Sequence, residues 1–83
     1  MPRYYFHTQD GSVEIDDDGE DLADFAAAKL EAVRLFGGII RDQPEDFWST
    51  KSLKLMVTDQ EGVLLFALDL SAVESPKLWM QPR

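Results

Sequence analysis

Cysteine is absent from these 83 residues, so no disulfide or thiolate site is available and stability must come from packing or association. That suits a reducing compartment, and a cytoplasmic location is the expectation. Glycine (5) and proline (4) are scarce, which argues against a low-complexity or disordered chain. Long apolar runs are missing too. No window approaches the ~18 consecutive apolar residues that suggest a membrane span, and the opening MPRYYFH lacks the apolar core of a secretory signal. Basic residues are the last shortage: eight Lys and Arg stand against sixteen Asp and Glu, a net charge of −8. Between Asp10 and Asp24, eight of fifteen residues are acidic and none is basic. Such a field repels phosphate backbones and anionic bilayers, so neither nucleic acid nor membrane is expected as a partner.

What remains is a folded domain: 45% of residues are hydrophobic and 11% aromatic. A chain this short buries only about 60–65% of the surface its unfolded form exposes, so its own core is marginal. Residues 1–73 read as one α+β domain, with 74–83 as a C-terminal arm or flexible tail.

Arg3 to Thr8 is short and aromatic, as a strand should be. Asp10-Gly11 is a hairpin signal, and Ser12 to Asp16 then alternates polar and apolar residues. Two registers follow. A two-residue Asp10-Gly11 turn sets Thr8 opposite Val13 and Phe6 opposite Ile15, putting Tyr4, Phe6, Val13 and Ile15 on the core. Tyr5, His7, Glu14 and Asp16 then share the other face. A turn at Gln9-Asp10 with a Gly11 bulge sets His7 opposite Val13 and exchanges the faces. Turn preference favours the first.

Asp24 is a helix N-cap by type and position. In the following FAAAKLEAVRLFGGIIRD, residues Ala26, Leu30, Val33, Gly37 and Ile40 recur at alternating spacings of four and three, an amphipathic stripe. Gly37-Gly38 marks a fray point or a close approach of helix to sheet. It is no phosphate loop, because no Lys-Ser or Lys-Thr follows it. Pro44 stops the helix or opens a short turn holding Phe47 and Trp48. Leu53 to Thr58 and Val63 to Leu70 form a second hairpin around Asp59-Gln60-Glu61-Gly62. Strict alternation puts Leu53, Leu55, Val57, Leu65 and Ala67 on one face, and Met56, Leu64, Phe66, Leu68 and Leu70 on the other. Both faces are apolar, and one helix covers only one of them. The architecture expected is ββαββ: hairpin, long helix, hairpin, in an antiparallel sheet of about four strands with the helix on one face.

The opening Arg3, Tyr4, Phe6 and His7, then Asp10-Gly11, Asp16, Gly19, Leu22 and Asp24, then Phe47-Trp48, and finally Val57-Thr58-Asp59, Gly62, Leu65 and Phe66 form a specific pattern. The chain resembles a family of small bacterial domains of unknown function, found mostly in alphaproteobacteria. The resemblance runs to about Val73. Ala23 departs from it, because the family usually has proline before the capping Asp. The resemblance implies no chemistry.

Tyr5, His7, Glu14 and Asp16 are the candidate binding face, since the favoured register sets His7 across from Glu14. Acid–base chemistry could use such a pair. Yet there is no second histidine, no serine in an elbow motif and no cysteine, so no catalytic residues are assigned. Counting Gly19 as the sixth position of a calcium loop puts Glu14, Asp16 and Asp18 at ligand positions, but Phe25 falls where the bidentate Glu belongs. No metal or cofactor is expected. The surplus apolar strand surface instead calls for a cover, and Met56, Leu64, Phe66, Leu68 and Trp79 are the candidates for self-association. The expected function is a non-catalytic interaction module, a homodimer through its sheet with a further protein partner. The alternative is a small ligand-binding or enzymatic domain built on His7 with Glu14 or Asp16.

Overall fold

Side chains of β1 (Arg3–Gln9) alternate in burial, with Tyr4 and Phe6 in the core and Tyr5 and His7 half-buried on the opposite face. The structure, a computed structural model, describes residues 1–76. Six further elements follow: β2 (Val13–Glu14), β3 (Glu20–Asp21), α1 (Phe25–Asp42), α2 (Pro44–Thr50), β4 (Ser52–Thr58) and β5 (Leu64–Ser71). The sheet is antiparallel with order β2-β1-β4-β5, and β3 pairs with β1 beside β2. The fold is thus α+β as expected, with α2 and the short β3 added to the five anticipated elements. Among the described residues, no helix is long and apolar enough to cross a membrane.

The first hairpin takes neither anticipated register. Its loop is three residues long, so Gln9 faces Val13 and Thr8 faces Glu14. Gly11 supplies the positive φ of +105° that this loop needs. One extra loop residue moves every β2 side chain to the other face. Val13 and Ile15 accordingly lie outside the core, 53% and 62% exposed.

Asp24 caps α1 as its sequence position requires, its carboxylate accepting from the Ala27 N–H at 2.9 Å. The face that α1 buries is a different one from the spacing of its larger apolar residues. Ala28 and Ala32 are fully buried against Tyr4, Phe6, Leu55 and Val57, and Phe36 packs beside them. Leu30 and Val33 point to solvent, 61% and 59% exposed. Packing overrides pattern here because alanine lets the helix backbone approach the sheet closely, over strands that already carry the bulky side chains. Gly37 and Gly38 do not serve that approach: a Cβ on either would meet nothing within 4 Å. Nor does α1 fray at them, since it continues to Asp42.

Pro44 opens α2, with Glu45 and Asp46 in its first turn where the helix dipole favours acids. Lys51, at φ 60°, closes it and turns the chain into β4. In the second hairpin, Asp59 Oδ1 accepts from the Glu61 and Val63 N–H groups, and Gly62 takes φ +81°. The β4–β5 ladder shifts between Val57 and Thr58. That bulge breaks strict alternation and changes the face assignment of β5. Phe66 and Leu68 now lie opposite Val57 and Leu55, on the helix side, where Phe66 meets Phe25 edge-to-face at 5.6 Å. Leu55 and Val57 are the largest fully buried side chains. Burying each stabilises the fold by roughly 1.5–3 kcal/mol.

Candidate functional site

With Phe66 and Leu68 turned inward, the face away from α1 carries Tyr5, His7, Met56, Thr58 and Ala67, with Lys54 opposite Asp69 and Leu64 opposite Thr58. This face is mixed in polarity rather than apolar. Most of its central side chains are half-buried by one another, while Leu64, Ala67 and Asp69 on β5 are exposed.

His7 is tied from both ring nitrogens. The Asp16 N–H donates to Nδ1 at 3.0 Å, so Nδ1 is the unprotonated nitrogen and Nε2–H is the donor to Thr58 Oγ1 at 2.9 Å. Glu14 is not its partner. It stands opposite Thr8, exposed, one residue out of phase with the expected pairing.

Asp16 does something the sequence did not suggest. Its chain leaves the strand after Glu14 and rejoins β1 at Glu20, and the intervening turn bridges the gap in β1 pairing. There the Asp16 carboxylate accepts from the Phe6 N–H through Oδ2 (3.1 Å), and from the Asp18 and Gly19 N–H groups through Oδ1 (3.0 and 3.1 Å). Burial works against the charge. The donors on Gly19, Phe6 and Asp18, with His7 close by, outweigh it and hold the carboxyl below the ordinary carboxylate range. The carboxylate therefore substitutes for a missing strand partner, with both oxygens engaged in doing so.

Gly19 completes the turn. Its φ is +73°, and a Cβ there would stand 2.8 Å from the Tyr5 ring and 3.0 Å from the Tyr4 carbonyl oxygen. Arg3 then closes the far end, its Nη1 donating to the Asp18 carbonyl at 2.6 Å and its Nε and Nη2 gripping the Asp21 carboxylate at 3.1 Å each. So the Asp-rich stretch is occupied in building a turn. Among the described residues, no three His, Asp or Glu side chains converge as a metal site.

The proposed self-association residues divide. Met56 and Leu64 lie on the face away from α1, Phe66 and Leu68 lie beneath it, and Trp79 falls outside the described residues, as does the Leu78-Trp79-Met80 arm. Sequence reasoning missed Thr58 and the Arg3–Asp21 clamp. It also missed the outer edge of β5. On the other side of the sheet, β1 is covered by β2, the Asp16 turn and β3, whereas among the described residues no strand pairs with the outer edge of β5. That edge is eight residues long, LLFALDLS, with one charge and no proline.

No curated protein and no solved structure matches this chain. A model for a domain of unknown function, DUF6894, matches residues 3–71, from the first residue of β1 to the last of β5. The sheet, its turn latch and α1 are therefore the family's domain, and this chain belongs to the DUF6894 family.

Proposed function

We propose that this chain is a cytoplasmic, non-catalytic protein-interaction module that self-associates by pairing the outer edge of β5 with the same edge of a second copy. The observation that carries the reading is the contrast between the two sheet edges. One is guarded over its whole length; the other, beyond the bulge at Leu65, runs over residues 66–71 with one charge and no proline, and among the described residues no strand pairs with it. Unpaired N–H and C=O groups on such an edge are a template for another strand, and natural sequences usually blunt them with Lys, Pro or a bulge. Two β5 strands paired antiparallel about a dyad form one continuous sheet, an isologous contact. With the dyad at Ala67, that side chain would lie opposite its own counterpart.

Support for a non-catalytic role comes from His7, whose two nitrogens hold the Asp16 turn and Thr58 and leave neither for a substrate. Sedimentation velocity at micromolar concentration tests the association. The wild type should run as a dimer and Ala67→Lys as a folded monomer, because like charges would meet across the dyad. A wild-type protein that stays monomeric throughout the micromolar range overturns the reading.

A further inference from the structure

The face of α1 turned away from the sheet carries apolar residues that the core does not use. At about 3.6 residues per turn, Ala26, Leu30, Val33 and Gly37 fall on one outward strip, spaced four, three, four. All four are exposed, and no described segment covers them. This is the seam spacing of a coiled coil, which fits a helix rather than a strand. Gly37, with open space where a Cβ would stand, leaves a low point at which a second backbone can come close.

Charge says which helix. In a chain of net charge −8, the strip is bordered by bases: Lys29 on one side, and Arg34 and Arg41 on the other. Arg34 and Arg41 are 71% and 79% exposed, Arg34 pairing with the half-buried Glu31 and Arg41 with the exposed Asp42, at 3.2 Å each. The Arg41–Asp42 pair, exposed on both sides, is of the weak kind that exchanges readily, and the Arg34 head stays open to solvent. Lys29 lies over the Phe25 ring at 5.3 Å. A second copy of α1 is a poor occupant. Paired antiparallel about Val33, it brings Arg34 against Arg34 of the other copy; paired parallel, it brings Lys29 against Arg34. An anionic bilayer is disfavoured by the chain's overall charge.

We propose that the outer face of α1 docks an amphipathic helix of a partner protein, one with an apolar seam bordered by Asp or Glu. The site is separate from the β5 edge, so the two proposals fail independently.

The test uses two designed helical peptides with leucine at both seam positions of each heptad, one with glutamate and one with lysine at the flanking positions. Titrating each into the labelled protein, followed by amide chemical shifts, should show saturable binding of the acidic peptide at least tenfold tighter than the basic one. Shifts should centre on Leu30, Val33 and Gly37. The double substitution Arg34→Glu with Arg41→Glu should reverse the preference, and Leu30→Glu should abolish binding while Ala67→Lys leaves it unchanged. Absence of binding, equal binding of both peptides, or shifts centred elsewhere would overturn the proposal. So would phosphatidylglycerol vesicles that capture the wild type but not Leu30→Glu, which would assign the strip to a lipid surface. A dimer dispersed by Leu30→Glu would assign it to a second copy. If the variants fail to fold, the wild type's preference between the two peptides still decides.

Discussion

Asp16 shows how much one side chain can settle in a chain this small. Its carboxylate takes three backbone donors at the point where β1 has no strand beside it, and its own N–H fixes the tautomer of His7. Replacing Asp16 with Ala leaves the Phe6 N–H unpaired and loosens the turn, at a cost of about 1–3 kcal/mol in chemical denaturation. The pH dependence has a definite sign. The folded carboxyl titrates below its unfolded value of about 3.9, so the ionised form stabilises the fold above that pH. That stability is lost as pH falls through the folded value. Asp16→Asn has nothing to titrate there, so its deficit against the wild type should be widest near neutral pH and shrink in acid. Equal deficits at both ends would contradict the latch. At Gly19, alanine would force a positive φ and push its Cβ into the Tyr5 ring, costing about 1–3 kcal/mol. None of this was legible beforehand. The candidate residues Tyr5, His7 and Asp16 do gather in one place, but an acidic run ahead of a capped helix gives no hint that one acid has turned back onto the strand.

At the scale of elements, the sequence was readable where local chemistry decides and unreadable where packing does. The Asp24 cap, the Pro44 start and the Asp59–Gly62 turn follow from single residues acting on their own backbone, and each stands where expected. Three faces were assigned wrongly: that of β2, by one extra loop residue, and those of α1 and β5. Periodicity finds stripes but not which stripe meets the core, and α1 carries two. A bulge at Val57/Thr58, invisible to alternation, then exchanged Phe66 and Leu68 to the helix side. Substitution separates the two stripes of α1. Ala32→Leu, entering a fully buried position, should destabilise by about 1–3 kcal/mol. Leu30→Ala on the outer strip should stay within about 0.5 kcal/mol of wild type. The reverse ranking in urea melts would mean that α1 sits rotated. Gly38, in helical backbone with open space around it, should tolerate alanine and gain about 0.5–1 kcal/mol.

For the molecule as a whole, the decisive feature is asymmetry rather than a surplus of apolar face. The expectation of a greasy far side gave way to a mixed one, on which Tyr5, His7, Met56 and Thr58 shelter one another. Among the described residues, what the fold leaves uncovered is an edge and a helix strip. Small domains gain core by association, and the unpaired edge of β5 beyond its bulge is the simplest place to do it. Amide hydrogen exchange along β5, followed as protein concentration is raised, tests this most directly. The account predicts that the outward-facing N–H groups of Leu64 to Ser71 become protected together, with a midpoint matching dimer formation and no such step in Ala67→Lys. Exchange from those groups that is fast and independent of concentration would show that the β5 edge stays open, and the account would be wrong.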